Sequence, residues 1–320
     1  MFLGVDGGGT KTAFVLIDQA GKVRASHQEG SSYYLETGLP ALQAMLERGV
    51  NATFAQAGVA RSELRFAFFG LPAFGEDSAI QPQLDALPAA FLDPTQYRCD
   101  CDMICSWAGS LACRDGISVI CGTGSMAYGE YQGKGVRVGG WGELFSDEGS
   151  AYWIAREGLN LFSKMSDGRA TRGGLYDLMK KELALQSDLD LCGHVYNKLA
   201  SQRSAVAALS QLVGDAAQRG DEQARAIFHR AAQELASMVV ALRNALQVPD
   251  QVILPVSYSG GVFESGALLL DPFRQQLDPT RFALTTPLLS PAVGAALYAA
   301  NRVGHQFTAE ALHQLRLGGQ

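Results

Sequence analysis

Three glycine-rich turns hold the residues best suited to chemistry. The first lies in "FLGVDGGGTKT", residues 2 to 12, where an apolar run ends at Asp6, Gly7, Gly8, Gly9, Thr10 and Lys11. The second, "ICGTGSMAYG", contains Gly122, Thr123, Gly124 and Ser125, and the third, "YSGGVFESG", contains Ser259, Gly260 and Gly261. A glycine turn after a buried strand is either a tight turn and nothing more, or a place where backbone N–H groups closely approach a ligand. The first turn has neither the full Walker spacing nor the GxGxxG dinucleotide fingerprint. A nucleoside triphosphate needs N–H donors and helix N-termini for its phosphates and an apolar slot for its base, and three such turns could supply those parts. Asp6, at a strand end, is suited to holding Mg2+ through water, as that ion prefers. Lys11 could neutralise phosphate charge or be an ordinary solvated lysine.

The elements that must position these turns form a repeat. Residues 2–6, 12–17 and 22–27 read as three β-runs with a turn at "DQAG". A helical stretch, "LPALQAMLERGVNATFAQAG", stops at Gly58; "LRFAFFGLP" is apolar enough for a buried strand ending at Gly70, and "YRCDCDM" reads as another strand end. From residue 116 the strand, glycine turn, strand pattern starts again. Val5 matches Ile120, Gly7 matches Gly122, Gly9 matches Gly124, Thr10 matches Ser125 and Val23 matches Val138, each 115 residues apart. A period this long indicates duplicated domains, since solenoid repeats run at about 20 to 50 residues. A helical region over about 148–246 follows, then a third strand-to-glycine-to-helix unit at "QVILPVSYSGGVFESG", and a late helix capped by Ser290 with Pro291 first. The expected division is 1–114 plus 291–320 as one domain and 115–290, with the helical insertion, as the other.

Composition narrows the classes. With 320 residues, 47% hydrophobic and 18% charged, the chain can bury the cores of two domains, and its 36 glycines exceed the usual share of about 7%. A net charge of -6 with no basic run argues against a nucleic-acid surface. The N-terminus lacks a charged leader and no apolar run reaches about 18 residues, so no membrane partner and a cytoplasmic location are expected. Five of the six cysteines, Cys99, Cys101, Cys105, Cys113 and Cys121, fall within 23 residues, and Cys192 stands apart. Their spacing lacks paired CxxC units with histidines, so small buried hydrophobes are the better reading than a metal or iron–sulfur site.

Together "GVDGGGTKT", "CDMICSWAGSLA", "ICGTGSMAYG", "GGWGELFSDEGSAYWIA" and "YSGGVFESG" resemble, in order and over nearly the whole chain, an N-acetylglucosamine kinase-like member of the BadF/BadG/BcrA/BcrD ATPase family, within the sugar kinase, heat-shock chaperone and actin superfamily. "GGWGELFSDEGSAYW" is the most specific of these, because a plain glycine turn has no need of that Trp and acid spacing. The resemblance implies an α/β fold of two ribonuclease H-like, actin-like ATPase domains around a nucleotide-binding cleft that closes on ATP and Mg2+. It places a first phosphate loop on Asp6 to Thr10, a second on Gly122 to Ser125 and an adenosine loop on Ser259 to Gly261. Asp102 falls where these kinases keep the general base, and Trp141 and Asp147 fall where they contact the sugar. Asp100, two residues earlier on the same expected strand, would share a face with Asp102, and spacing alone does not separate them. Glu148 would serve the sugar or its helix N-terminus.

Two departures stand out. Where many relatives carry a sugar-contacting asparagine, this chain reads "EGSSYYLETG", offering Ser31, Ser32, Tyr33 and Glu36, with Ser32 taken as the sugar contact. Phe145 and Ser146 precede Asp147 where a glycine is common. The resemblance implies ATP-dependent phosphorylation of an amino sugar, N-acetylglucosamine at its 6-hydroxyl, with a homodimer as one assembly option. Glucosamine is the rival substrate. A dehydratase-activating ATPase and a nucleotide switch without sugar chemistry are the other classes, and the loop "GGWGELFSDEG" argues against both.

Overall fold

The computed structural model describes residues 1–199 and 202–318; residues 200 and 201, inside the expected helical stretch, and residues 319 and 320 lie outside the described residues. The chain divides into two compact units, Met1–Ser118 with Thr286–Gln320, and Val119–Thr285.

The first unit is built on a five-stranded sheet of order β3-β2-β1-β4-β5, with β1 Phe2–Asp6, β2 Thr12–Ile17, β3 Val23–Glu29, β4 Phe66–Leu71 and β5 Tyr97–Cys101. β1 and β4 are near-continuous apolar runs because helices cover the sheet, which is how interior parallel strands read. β1 pairs antiparallel with β2 and parallel with β4, and β4 pairs parallel with β5. The parallel register sets Asp6 opposite Gly70, and Gly70 opposite Asp100. The carboxyl ends of three strands therefore meet at one edge, where ligands of open α/β sheets bind. Helix Leu39–Ala57 ends at Gly58 in the left-handed conformation, as the sequence suggests. Helix Pro291–Arg302 buries Ala292, Ala295, Ala296 and Ala299, and these small side chains let it pack closely on β1 and on helix Met103–Leu111. Ser290 is its N-cap with Pro291 first, but the serine hydroxyl makes no capping hydrogen bond, contrary to the sequence reading.

The second unit repeats the plan with order β10-β9-β6-β7-β8, where β6 is Gly116–Cys121, β7 Ser125–Tyr131, β8 Lys134–Gly139, β9 Leu254–Ser259 and β10 Phe282–Leu284. Read from β8, it has the same succession as the first sheet read from β3, as the 115-residue repeat demands. The insertion between β8 and β9 is helical, its longest member being Glu222–Ala245. The third glycine turn leads into a short 3-10 segment, Gly261–Ser265, before helix Ala267–Gln276 starts, so the helix does not begin at the turn.

Arg243, fully buried, fastens this unit. Its guanidinium donates to the Arg281 carbonyl at 2.9 Å and the Pro249 carbonyl at 2.6 Å, and lies 5.5 Å from the Phe282 ring centre. Arg243→Met would remove both charged hydrogen bonds, each worth about 1.5–3 kcal/mol, although the Arg281 and Pro249 carbonyls would keep the Leu254 and Val252 N–H groups as partners. Urea unfolding of the second unit should show a loss of about 2–5 kcal/mol; an unchanged midpoint would mean the arginine is dispensable.

Candidate functional site

In the first unit the glycine turn is fixed by its neighbours. The Gly7 N–H donates to the Gly70 carbonyl at 2.8 Å, and the Ser32 N–H donates to the Gly8 carbonyl at 3.0 Å. Ser32 is fully buried against this turn, with its hydroxyl 3.5 Å from the Gly8 carbonyl oxygen. Gly9, Thr10 and Lys11 are exposed.

β5 ends at Cys101, and Asp102 is the residue at which the chain turns into helix Met103–Leu111. The expectation that Asp100 and Asp102 share a strand face is thereby corrected, because the period-2 alternation stops between them. Asp100 accepts from the Arg98 guanidinium at 2.8 Å and from the Cys101 N–H at 2.9 Å. Asp102 accepts from the Cys101 thiol at 3.2 Å, and its charge is felt at Asp6. Burial, then the Asp102 charge, pushes the Asp6 carboxyl up to about 7, while a hydrogen bond with the Cys105 thiol opposes the rise. Like charge on these two neighbouring carboxyl groups disfavours ionising both, and a cation held there would relieve it.

The buried thiols are inert. Burial raises Cys99, Cys105 and Cys121 above the ordinary thiol range, Cys105 donates to the Val5 carbonyl and Cys121 to the Gly149 carbonyl. Among the described residues no group of three or more His, Cys, Asp or Glu side chains is placed to hold a metal. A hard oxygen set of one or two carboxylates matches an ion that keeps most of its waters, as Mg2+ does.

In the second unit, the turn Gly122–Ser125 sits on the N-terminus of helix Ala151–Ser166. The Ala151 N–H donates to the Gly122 carbonyl at 2.9 Å and the Tyr152 N–H to the Thr123 carbonyl at 3.3 Å. Ser125 donates to the Glu148 carbonyl at 2.7 Å, and Ser150 caps the helix by accepting from the Trp153 N–H at 3.1 Å. The cap is thus Ser150, while Glu148 accepts from Ser146 at 3.3 Å.

Between β8 and this helix runs the loop of Trp141 and Asp147. Arg137 donates to the carbonyls of Gly139 and Gly140 and anchors the start of the loop. Trp141, Leu144 and Phe145 are 73%, 83% and 74% exposed, so Trp141 is no core aromatic, whereas Asp147 is only 2% exposed. Asp147 holds φ at +59°, a left-handed conformation that aspartate tolerates better than most residues and that tends to mark functional positions. Burial raises its pKa, and the Arg203 guanidinium opposes the rise. The third turn, Ser259 to Gly261, lies against the second, because Gly260 packs on the Cys121 carbonyl. The Ser259 hydroxyl is buried without a partner, a state seldom left unused.

The BadF/BadG/BcrA/BcrD ATPase family model matches residues 3–299. The chain belongs to this family. Among its relatives, N-acetyl-D-glucosamine kinase of Dictyostelium discoideum is 27% identical over 94% of this chain and 98% of its own length. An N-acetylmuramic acid/N-acetylglucosamine kinase of Clostridium acetobutylicum is 33% identical, over 53% of this chain and 56% of its own. The crystal structure of a candidate N-acetylglucosamine kinase from Chromobacterium violaceum superposes with a TM-score of 0.70 at 27% identity, covering 92% of this chain and 97% of that one. A ROK family glucokinase from Streptomyces griseus, at 17% identity and TM-score 0.54, shares the fold.

In this family member, sequence reading missed Arg203 and Glu143. Arg203 lies 56 residues from Asp147, in a helical insertion with no motif, and only a three-dimensional structure pairs them.

Proposed function

We propose that this chain is an ATP-dependent kinase of amino sugars, with N-acetylglucosamine as substrate and its 6-hydroxyl as acceptor. The observation that carries the reading is the placement of Asp102 at a strand end beside Asp6, next to the first glycine turn, in a member of an ATPase family whose full-length relative is named for this activity. Phosphoryl transfer asks for positioning, charge neutralisation and one carboxylate on the attacking hydroxyl. Asp102 would orient the sugar hydroxyl and take its proton. Asp6 would hold Mg2+ through water, the ion supplying neutralisation of phosphate charge. Gly7 to Thr10 and Gly122 to Ser125 would present N–H groups to phosphates, with Lys11 adding charge, and Ser259 to Gly261 would receive the nucleoside. Trp141 would cover an apolar sugar face and Asp147 would accept from sugar hydroxyls, while Ser32, expected as a sugar contact, is fully buried against the first turn and would shape that turn from behind.

The test is ADP formation with ATP and Mg2+ across N-acetylglucosamine, glucosamine, N-acetylmuramic acid and glucose. N-acetylglucosamine should give the highest kcat/KM, and phosphorus–carbon coupling in the product should mark carbon 6. ATP hydrolysis indifferent to every sugar would overturn the reading in favour of a nucleotide switch.

A further inference from the structure

Arg203 comes from outside every recognised motif and reaches the most buried carboxylate of the second unit. Its Nη2 donates to Asp147 Oδ2, and its Nε lies 3.2 Å from Glu143 Oε2. The pair is set tightly against the second glycine turn: a Cβ on Gly124 would stand 2.4 Å from Arg203 Nη2 and 2.7 Å from Asp147 Oδ2. Three separate segments, the turn, the Trp141 loop and the insertion, therefore meet at one guanidinium.

The helix that starts at Arg203, Arg203–Ala208, is itself held. Val206 and the following Leu209 are buried against Ala155 of helix Ala151–Ser166, with Tyr152 and Leu159 alongside. That second helix begins just after Asp147. The arginine and the loop it grips thus share a common support, which limits the freedom of the planar fork and favours one geometry over many.

The charge balance shows what the arginine does. Around the Asp147 carboxyl stand Glu143 and Glu148, the Cys121 thiol, the Ser125 N–H and Arg203. Arg203 is the one cation in that set, against two other acids. Without it, burial and like charge would both favour the protonated form, and a protonated carboxyl loses acceptor capacity toward a hydroxyl.

We propose that Arg203 is a positioning residue for Asp147, holding that carboxylate fixed against the Gly124 turn so that sugar affinity depends on the helical insertion. The inference rests on the kinase reading above for the identity of the ligand, and on the geometry alone for the grip on the loop. Glu143 takes the second face of the guanidinium and fixes its rotamer.

Arg203→Ala should raise KM for N-acetylglucosamine about 10- to 100-fold while kcat and KM for ATP stay within a few-fold, the split expected when a ground-state contact to one substrate is lost. The acid limb of kcat/KM for the sugar should move to higher pH, because removing the cation leaves only the Ser125 N–H to oppose the burial-driven rise of the Asp147 pKa. Arg203→Lys keeps the charge but not the fork, so it should recover most of the pH profile and part of the affinity. If kcat and both KM values fall or rise together with no shift of the acid limb, the residue is only structural and the proposal is wrong. Hydrogen exchange provides an arm independent of sugar chemistry: Arg203→Ala should speed exchange several-fold over residues 141–150 and leave residues 1–118 unchanged. Should the wild type phosphorylate no sugar, the kinase reading falls; faster exchange in the variant would still sustain the grip on Asp147, and unchanged exchange would overturn it.

Discussion

Asp102→Asn should cut turnover by about 100- to 10,000-fold while leaving affinities for ATP and sugar within a few-fold. The amide keeps the shape of the side chain but cannot accept the hydroxyl proton, and loss of a general base typically costs that much. Asp100→Asn should be far milder. The structure gives this contrast a physical basis that spacing could not: Asp100 is held by the Arg98 guanidinium and the Cys101 N–H, whereas Asp102, which accepts from the Cys101 thiol, begins a helix and its charge is felt at Asp6. Steady-state rates with N-acetylglucosamine and ATP decide between them. Near-wild-type rates for Asp102→Asn alongside a dead Asp100→Asn would mean the wrong acid has been chosen, and full activity in both would mean no base comes from this segment.

What could be read in the sequence follows from how local each signal is. β1, β2 and β4 announce themselves because buried strands need unbroken apolar or alternating runs, and the 115-residue offset predicts the matching order of the two sheets. Helix Leu39–Ala57 carries its own stop signal in Gly58. Strand ends are less legible, since nothing in "YRCDCDM" states that β5 yields to a helix at Asp102 rather than one residue later. Ser290 stands at the N-cap as expected but without its capping hydrogen bond, for a related reason: cap geometry depends on a rotamer that composition does not set. Arg203 was invisible because Asp147 lies 56 residues away, and Arg243 because its partners are backbone carbonyls, one of them 38 residues away, joined by packing that has no sequence period. The motifs therefore locate the turns and acids, while the residues that hold them in place emerge only from tertiary structure.

Gly260→Ala should damage both stability and nucleotide affinity, and Gly261→Ala should separate the two effects. Gly260 has φ of +100° and ψ of 153°, a region that is essentially glycine-only and costs of order 1–3 kcal/mol for another residue. A Cβ there would also stand 2.3 Å from the Cys121 carbonyl oxygen and 2.5 Å from its carbon, and backbone cannot step aside as a flexible side chain would. Overpacking adds about 1–3 kcal/mol, so the total of about 2–6 kcal/mol should lower Tm by several degrees or more. Because Cys121 leads directly into Gly122, the clash reaches the second turn as well as the third, and KM for ATP should rise at least about tenfold if both serve the nucleotide. Gly261 meets nothing within 4 Å and its φ is not positive, so Gly261→Ala should leave Tm within about a degree. A raised KM for ATP in that stable variant would point to direct approach of nucleotide to the Gly261 backbone. If Gly261→Ala is silent in binding and Gly260→Ala loses stability alone, with KM for ATP unchanged in the folded fraction, the third turn is a packing device and the nucleoside lies elsewhere.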